Sequence, residues 1–220
     1  MPMDDNIMNY TASHPGETLS NLEQRRTPVQ DRSRERVELI LNEASQLISE
    51  VGVQGIKTSE IARRAEISLA SLYRYFPNKA SIVKALAERH MEKLASVLKG
   101  FVDQLNFDDG FDQLIDAYAE FYRSEPGYKE IWSGVEAMPE LQELDLGELF
   151  DNAQLISEKV QALCPTMDKE RLWLMCVMIP RTCSGIMRLA MTMEPQQEEI
   201  MRNELKMMVR HYLKARLADC

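Results

Sequence analysis

At 220 residues the chain suits one compact domain or two small ones, and its 45% apolar and 28% charged content is that of a globular protein. Nine glycines and nine prolines are too few for collagen-like, Pro-rich or Gly-rich architectures, and they disfavour a turn-dense β-sandwich. The net charge of −9 argues against nucleic acid until it is divided: residues 1–30 carry −2, residues 31–99 carry +3, and residues 100–220 carry −10.

Residues 1–30 show no periodicity and hold Pro2, Pro15 and Pro28, which reads as a disordered tail. From Asp31 to Val51, the residues Val37, Ile40, Leu41, Ala44, Leu47, Ile48 and Val51 fall at helical intervals, and Gly52 suits the left-handed position after a helix end. A short helix over Thr58–Ala65, a turn at Glu66-Ile67 and a helix over Ser68–Phe76 follow, with Ser68 placed to cap a free N–H. Pro77 breaks the chain. Asn78 caps a fourth helix reaching Leu105, a strut of roughly 40 Å at about 1.5 Å per residue.

Beyond the strut the spacing predicts helices over Phe111–Arg123, Tyr128–Ser133, Gly147–Leu163, Asp168–Met193 and Gln196–Leu217, with loops at Met138-Pro139, Cys164-Pro165 and Glu194-Pro195. No strand-type alternation appears. The expected fold is all-α, about nine helices. Residues 31–79 form a three-helix helix-turn-helix domain, and residues 80–220 a larger helical domain. The apolar stretch Leu172–Met193 is unbroken only to Pro180, too short for a bilayer, so it reads as a buried helix and no membrane partner is expected. Cys164, Cys176, Cys183 and Cys220 form no CxxC pair, and no secretory leader pattern precedes them. A cytoplasmic protein with free thiols follows.

Short helices joined by a tight turn suit a helix-turn-helix, whose second element enters the major groove while helix N-termini meet phosphates. Residues 57–79 carry Lys57, Arg63, Arg64, Arg74 and Lys79 against Glu60 and Glu66. The stretch GIKTSEIARRAEISLASLYRYFPNKASIVKAL resembles the DNA-binding domain of TetR-family transcriptional regulators: Ile61-Ala62, Ala65, Ile67-Ser68, Leu72-Tyr73, Tyr75-Phe76, Pro77 and Lys79 all match in register. Two positions depart from the family pattern. Glu66 stands where glycine is usual, and Lys57 where a capping Ser or Thr is common.

The resemblance implies that Thr58, Ser59, Tyr73, Tyr75 and Lys79 grip phosphates, with Lys57 a further phosphate contact. It implies that Leu69, Ala70, Ser71 and Arg74, following the cap Ser68, face bases or adjacent backbone. Arg74 suits bidentate contact with guanine. It also implies a homodimer on a palindromic double-stranded DNA operator, built by the last two helices. Met201, Leu205, Met208, Tyr212 and Leu213 share a face of the last helix, and Arg188 lies on the preceding one.

Ten of the fourteen methionines lie between Met138 and Met208. With nearby aromatic residues they point to a cavity for a small, largely hydrophobic effector, lined by Tyr118, Phe121, Tyr122, Trp132, Met138, Phe150, Trp173, Met178 and Arg181. Arg181 and Arg188, seven apart, either meet an anionic ligand head or pair with carboxylates across the dimer. The chain therefore reads as a ligand-released regulator, a repressor by family habit. The alternative is a DNA-binding helical protein controlled by a protein partner or by no ligand. His14, His90 and His211 are the only histidines, and no nucleophile elbow, phosphate loop or metal-ligand spacing appears, so no catalytic residue, metal or cofactor is expected.

Overall fold

The computed structural model describes residues 31–103 and 110–217. The expected tail and the far end of the strut, to Leu105, lie outside them. Among the described residues there are nine helices and no strand. They are α1 (Asp31–Gly55), α2 (Thr58–Arg64), α3 (Leu69–Tyr75), α4 (Lys79–Asp103), α5 (Gly110–Ser124), α6 (Tyr128–Ala137), α7 (Pro139–Leu163), α8 (Lys169–Ala190) and α9 (Pro195–Arg216).

Local chemistry sets most boundaries. At Gly52 the backbone turns to φ 70°, and α1 resumes beyond it for a last turn to Gly55. Ser68 accepts a hydrogen bond from the Ser71 amide at 3.1 Å and starts α3. The Asn78 side chain accepts from the Ser81 amide at 2.8 Å and starts α4. Asp168 accepts from the Arg171 amide at 2.9 Å and starts α8.

Two boundaries differ from the sequence expectation. α6 continues past Ser133 to Ala137, and α7 begins at Pro139 rather than Gly147. Proline lacks the N–H that a first helical turn leaves unused, so Pro139 opens the helix. Gly147 lies inside it, where glycine costs only about 1 kcal/mol.

The main core joins α1–α6 to the start of α7, through Leu141, and to parts of α8 and α9. Ile40, Ile48, Ile61, Leu72, Phe76 and Leu86 are fully buried in it, each contributing roughly 1.5–3 kcal/mol. A second core joins Leu98 and Val102 of α4 to Ile156 and Val160 of α7 and to Leu172 and Cys176 of α8. Thus α4 belongs to both cores.

The α5–α6 turn presses on α1. Ser45 donates its hydroxyl to the Pro126 carbonyl at 2.6 Å. A Cβ on Gly127 would stand 2.9 Å from the Ser45 carbonyl oxygen, and one on Gly134 would stand 2.7 Å from Val53 Cγ2. Glycine at these positions lets α6 approach α1 this closely.

α8 does not behave as the expected buried helix. Leu174, Met178 and Leu189 are exposed on it, at 51%, 45% and 53%. By length and composition alone it is long and apolar enough to cross a bilayer, with a mean hydropathy of 1.2 over its most apolar 18 residues, a test that a helix of a folded domain also passes; its Arg181 and Arg188 are paired to carboxylates of this chain. The thiols also depart from expectation: Cys176 and Cys183 are free, but Cys164 is disulfide-bonded.

Candidate nucleic-acid interface and interior cavity

The α2–α3 pair is braced before it meets anything. Arg64 forks onto Glu50 of α1 with bonds of 2.7 and 2.6 Å and also reaches Glu60 at 3.3 Å. Arg63 bonds Glu60 at 2.9 and 2.6 Å, and these hydrogen bonds hold the Glu60 carboxyl down to about 2. The turn between the helices closes with the Ile67 amide bonding the Ala62 carbonyl at 3.0 Å. Glu66 in that turn has φ 51°, the left-handed conformation that the usual glycine would accept without strain.

Lys57 occupies the residue before α2 without a capping side chain, so neither Thr58 nor Ser59 caps that helix. Thr58 instead bonds the Tyr73 hydroxyl at 3.0 Å, bringing the starts of α2 and the middle of α3 together. Leu72 and Phe76 are fully buried beneath this pair. Lys57, Ser59, Ser68, Leu69, Ala70, Tyr73 and Arg74 are exposed, whereas Thr58, Ser71, Tyr75 and Lys79 are half-buried. Arg74 reaches the Ser71 hydroxyl at 3.0 Å, and Lys79 reaches the Gln54 carbonyl at 3.4 Å. No described carboxylate pairs with Lys57, Arg74 or Lys79, so the exposed edge of α2–α3 presents uncompensated positive charge. Such an edge can accept phosphates while α3 offers polar and apolar groups to base edges.

Within the larger helical part lies a cavity of about 160 Å³. Of the residues expected to line it, Tyr118, Tyr122, Trp132 and Arg181 do. Phe121, Met138, Phe150, Trp173 and Met178 are not among the lining residues. Phe150 and Trp173 pack on each other, with centroids 5.6 Å apart, Phe121 packs on His90, and Met178 is exposed. Sequence reasoning missed Leu94 and Leu98 of α4, Tyr128 of α6, and Asp145, Glu148 and Asn152 of α7.

The rings of Tyr122 and Tyr128 stack at 4.1 Å, and burial raises the pKa of both hydroxyls and so suppresses their ionisation. Trp132 Nε1 is buried without a hydrogen-bond partner. Burial pushes Glu148 up to about 7. The two arginines are ion-paired within the chain: Arg181 to Asp145 at 2.6 Å, and Arg188 to Glu136. Among the described residues no group of three His, Cys, Asp or Glu is placed to hold a metal.

The residues expected to pair two chains divide. Leu205 and Leu213 point into the chain's own core, because the helical face they share also meets α5. Met201 and Tyr212 are half-buried. Met208 is exposed at 47%, beside Met207 and Ile200.

Residues 40–86 match the model of bacterial regulatory proteins of the tetR family, and residues 106–213 match a tetracyclin repressor-like C-terminal domain. The chain is 31% identical over 130 residues to nucleoid occlusion factor SlmA of Haemophilus ducreyi, spanning 58% of this chain and 63% of that protein. It is 38% identical over 60 residues to the uncharacterized HTH-type transcriptional regulator YvkB of Bacillus subtilis, spanning 27% of this chain and 32% of that one. The chain thus spans less than two thirds of the length of these curated relatives. A TetR-family transcriptional regulator from Streptomyces coelicolor shares the fold, with a TM-score of 0.63 at 24% identity over 82% of this chain and 99% of that one. With the helix-turn-helix built as its motif requires and both units matched, the chain belongs to the TetR family of DNA-binding transcriptional regulators.

Proposed function

We propose that this protein is a cytoplasmic repressor that binds a palindromic operator as a homodimer and leaves it when a small, largely hydrophobic effector fills the cavity. One observation carries the reading: α4 starts at Lys79, beside the exposed edge of α2–α3, and lines the cavity with Leu94, Leu98 and Phe101. A ligand that prefers a tilted α4 moves the two recognition helices of a dimer off the roughly 34–36 Å spacing of successive major grooves. By linkage, the operator then weakens ligand binding by the same factor.

In this reading residues 31–79 form the DNA-binding domain and residues 80–220 the effector-binding and dimerisation domain. Lys57, Thr58, Ser59, Tyr73, Tyr75 and Lys79 hold phosphates, and Leu69, Ala70, Ser71 and Arg74 face base edges. Dimerisation uses the exposed apolar residues Leu174, Met178 and Leu189 of α8 with Ile200, Met207 and Met208 of α9. Gly185 lies on the same side of α8 with open space where a Cβ would be, which favours close approach of a second copy. Leu189→Glu with Met208→Glu tests this, with a monomer expected by light scattering.

The decisive experiment is footprinting of the protein on the DNA upstream of its own gene, followed by release with apolar compounds. A protected palindrome and ligand-dependent release support the reading. A protein that protects no palindrome, or that no compound releases, refutes the corresponding half. A second reading, nucleoid occlusion without a small effector, is favoured by the 130-residue match to SlmA, which is longer than the helix-turn-helix alone. It predicts protection without release.

A further inference from the structure

The cavity contains one carboxyl, that of Glu148, with which no cation among the described residues forms an ion pair. Arg181 is engaged by Asp145 and Arg188 by Glu136. Glu148 stands in the same wall, with the Asn152 amide 3.4 Å away as its hydrogen-bond donor. Tyr118, Tyr122, Tyr128 and Trp132 complete an aromatic surface around the same space. We propose that the cavity receives an organic cation, a quaternary ammonium or protonated amine on an aromatic or apolar body, with Glu148 as its counter-ion and the rings as its cation–π surface. This deepens the reading of the cavity as an effector site and rests on it.

Three considerations lead here. An ionised carboxylate in an apolar wall is costly unless a cation joins it. A cation over Tyr and Trp faces is attracted by the negative faces of the rings, most strongly when desolvated, so rings and carboxylate favour the same guest. An anionic guest meets the opposite situation, because both guanidiniums already hold carboxylates and Glu148 repels it. The volume also fits, since a cavity of about 150 Å³ holds a benzene ring.

The site carries a pH signature. Burial holds Glu148 at about 7, Asp145 and Asp151 raise it further, and Asn152 opposes them. The other ionisable groups facing the cavity are Tyr118 and Tyr122 of α5, Tyr128 of α6, Asp145 of α7, which is paired to Arg181, and Cys176, Cys183, Arg181 and Arg188 of α8. Burial raises the three tyrosines and pushes Cys176 and Cys183 up to about 12, so these stay neutral near pH 7. α4 and α9 contribute only apolar side chains, among them Leu94, Leu98, Val209 and Leu213. Glu148 is therefore the group that changes charge, and cation affinity rises with pH through about 7.

The test titrates the full chain with ethyltrimethylammonium and with its neutral carbon isostere, 2,2-dimethylbutane, each with as many non-hydrogen atoms as benzene. Binding is read by calorimetry and tryptophan fluorescence at pH 6 and pH 8. The cation is expected to bind about tenfold tighter than the isostere at pH 8 and to lose about tenfold at pH 6, while the isostere is unaffected. Glu148→Gln is expected to abolish the cation's advantage and its pH dependence while keeping the isostere. If the isostere binds as tightly as the cation, or if the preference survives Glu148→Gln, the counter-ion claim is overturned and the effector cavity stands. If neither compound binds, both fall. The pH comparison on the unaltered chain decides the question even where the variant misfolds.

Discussion

The hydroxyl of Ser45 and the carbonyl of Pro126, eighty-one positions apart in the chain, are joined at 2.6 Å. This bond ties α1 to the turn that leads into the cavity wall. Gly127 extends the contact, with φ 69° and no room for a Cβ. Gly127→Ala is expected to destabilise the protein by at least about 1–2 kcal/mol through left-handed strain alone, and Ser45→Ala by about 0.5–1.5 kcal/mol. Urea denaturation measures both, and an unchanged midpoint for Gly127→Ala contradicts the fit.

Glu66 is exposed and strained in the turn between α2 and α3. Glu66→Gly relieves roughly 1–2 kcal/mol of left-handed strain and gives back part of it as unfolded-state entropy. A small rise in melting temperature is expected, with unchanged helix content by circular dichroism. A fall in melting temperature means the turn is not left-handed in solution.

Arg74 and Lys79 lie at opposite ends of the same surface and separate two kinds of DNA contact. Arg74→Ala is expected to relax operator specificity by about 1–3 kcal/mol while sparing random DNA. Lys79→Ala is expected to weaken every sequence alike and to reduce the slope of log affinity against log salt by about one. Equal losses on operator and random duplexes for Arg74→Ala remove it from base reading.

Two buried groups give stability opposite pH dependences. His90 is fully buried, with neither ring nitrogen hydrogen-bonded, and burial lowers it to about 4 from 6.5. Nearby Glu125 opposes that shift, while Arg89 and Lys93 add to it. The unfolded chain takes up this proton first, so stability falls as pH drops from 6.5 toward 4, by on the order of 3 kcal/mol. Glu148 is raised from 4.5 to about 7, so the unfolded chain loses that proton first. Its contribution falls as pH rises from 4.5 to 7, by a similar amount. The two windows overlap and their contributions largely cancel between pH 4.5 and 6.5, so across that range urea midpoints are expected to fall with rising pH in His90→Phe and to rise with pH in Glu148→Gln.

The helix-turn-helix was legible because its signals are local. Ser68 and Asn78 cap their helices by bonds to residues three positions ahead, and the spacing of Leu72 and Phe76 sets which side of α3 is buried. The cavity was only half legible because its wall is assembled from six helices. Glu148 sits among Asp145, Asp151 and other charges that read as a solvated face, and only the packing of α7 against α8 encloses it. The pairing of Arg181 and Arg188 was legible as a possibility, but their partners, on α7 and α6, were not. The last helix was misread by part of a turn. Its apolar residues spread over more than one face, so spacing alone did not separate Leu205 and Leu213, which are buried, from Met208, which is exposed.

Tyr128 has one neighbour in each half of the molecule. Its ring borders the cavity and stacks on Tyr122, while the residue before it, Gly127, abuts the backbone of Ser45 and Ser49. A guest molecule leaning on that ring is a single peptide link from the first helix of the DNA-reading half. Under the proposed effector reading, occupancy would have a route that bypasses the length of the strut, with the stiffness of one short joint governing how much of it arrives.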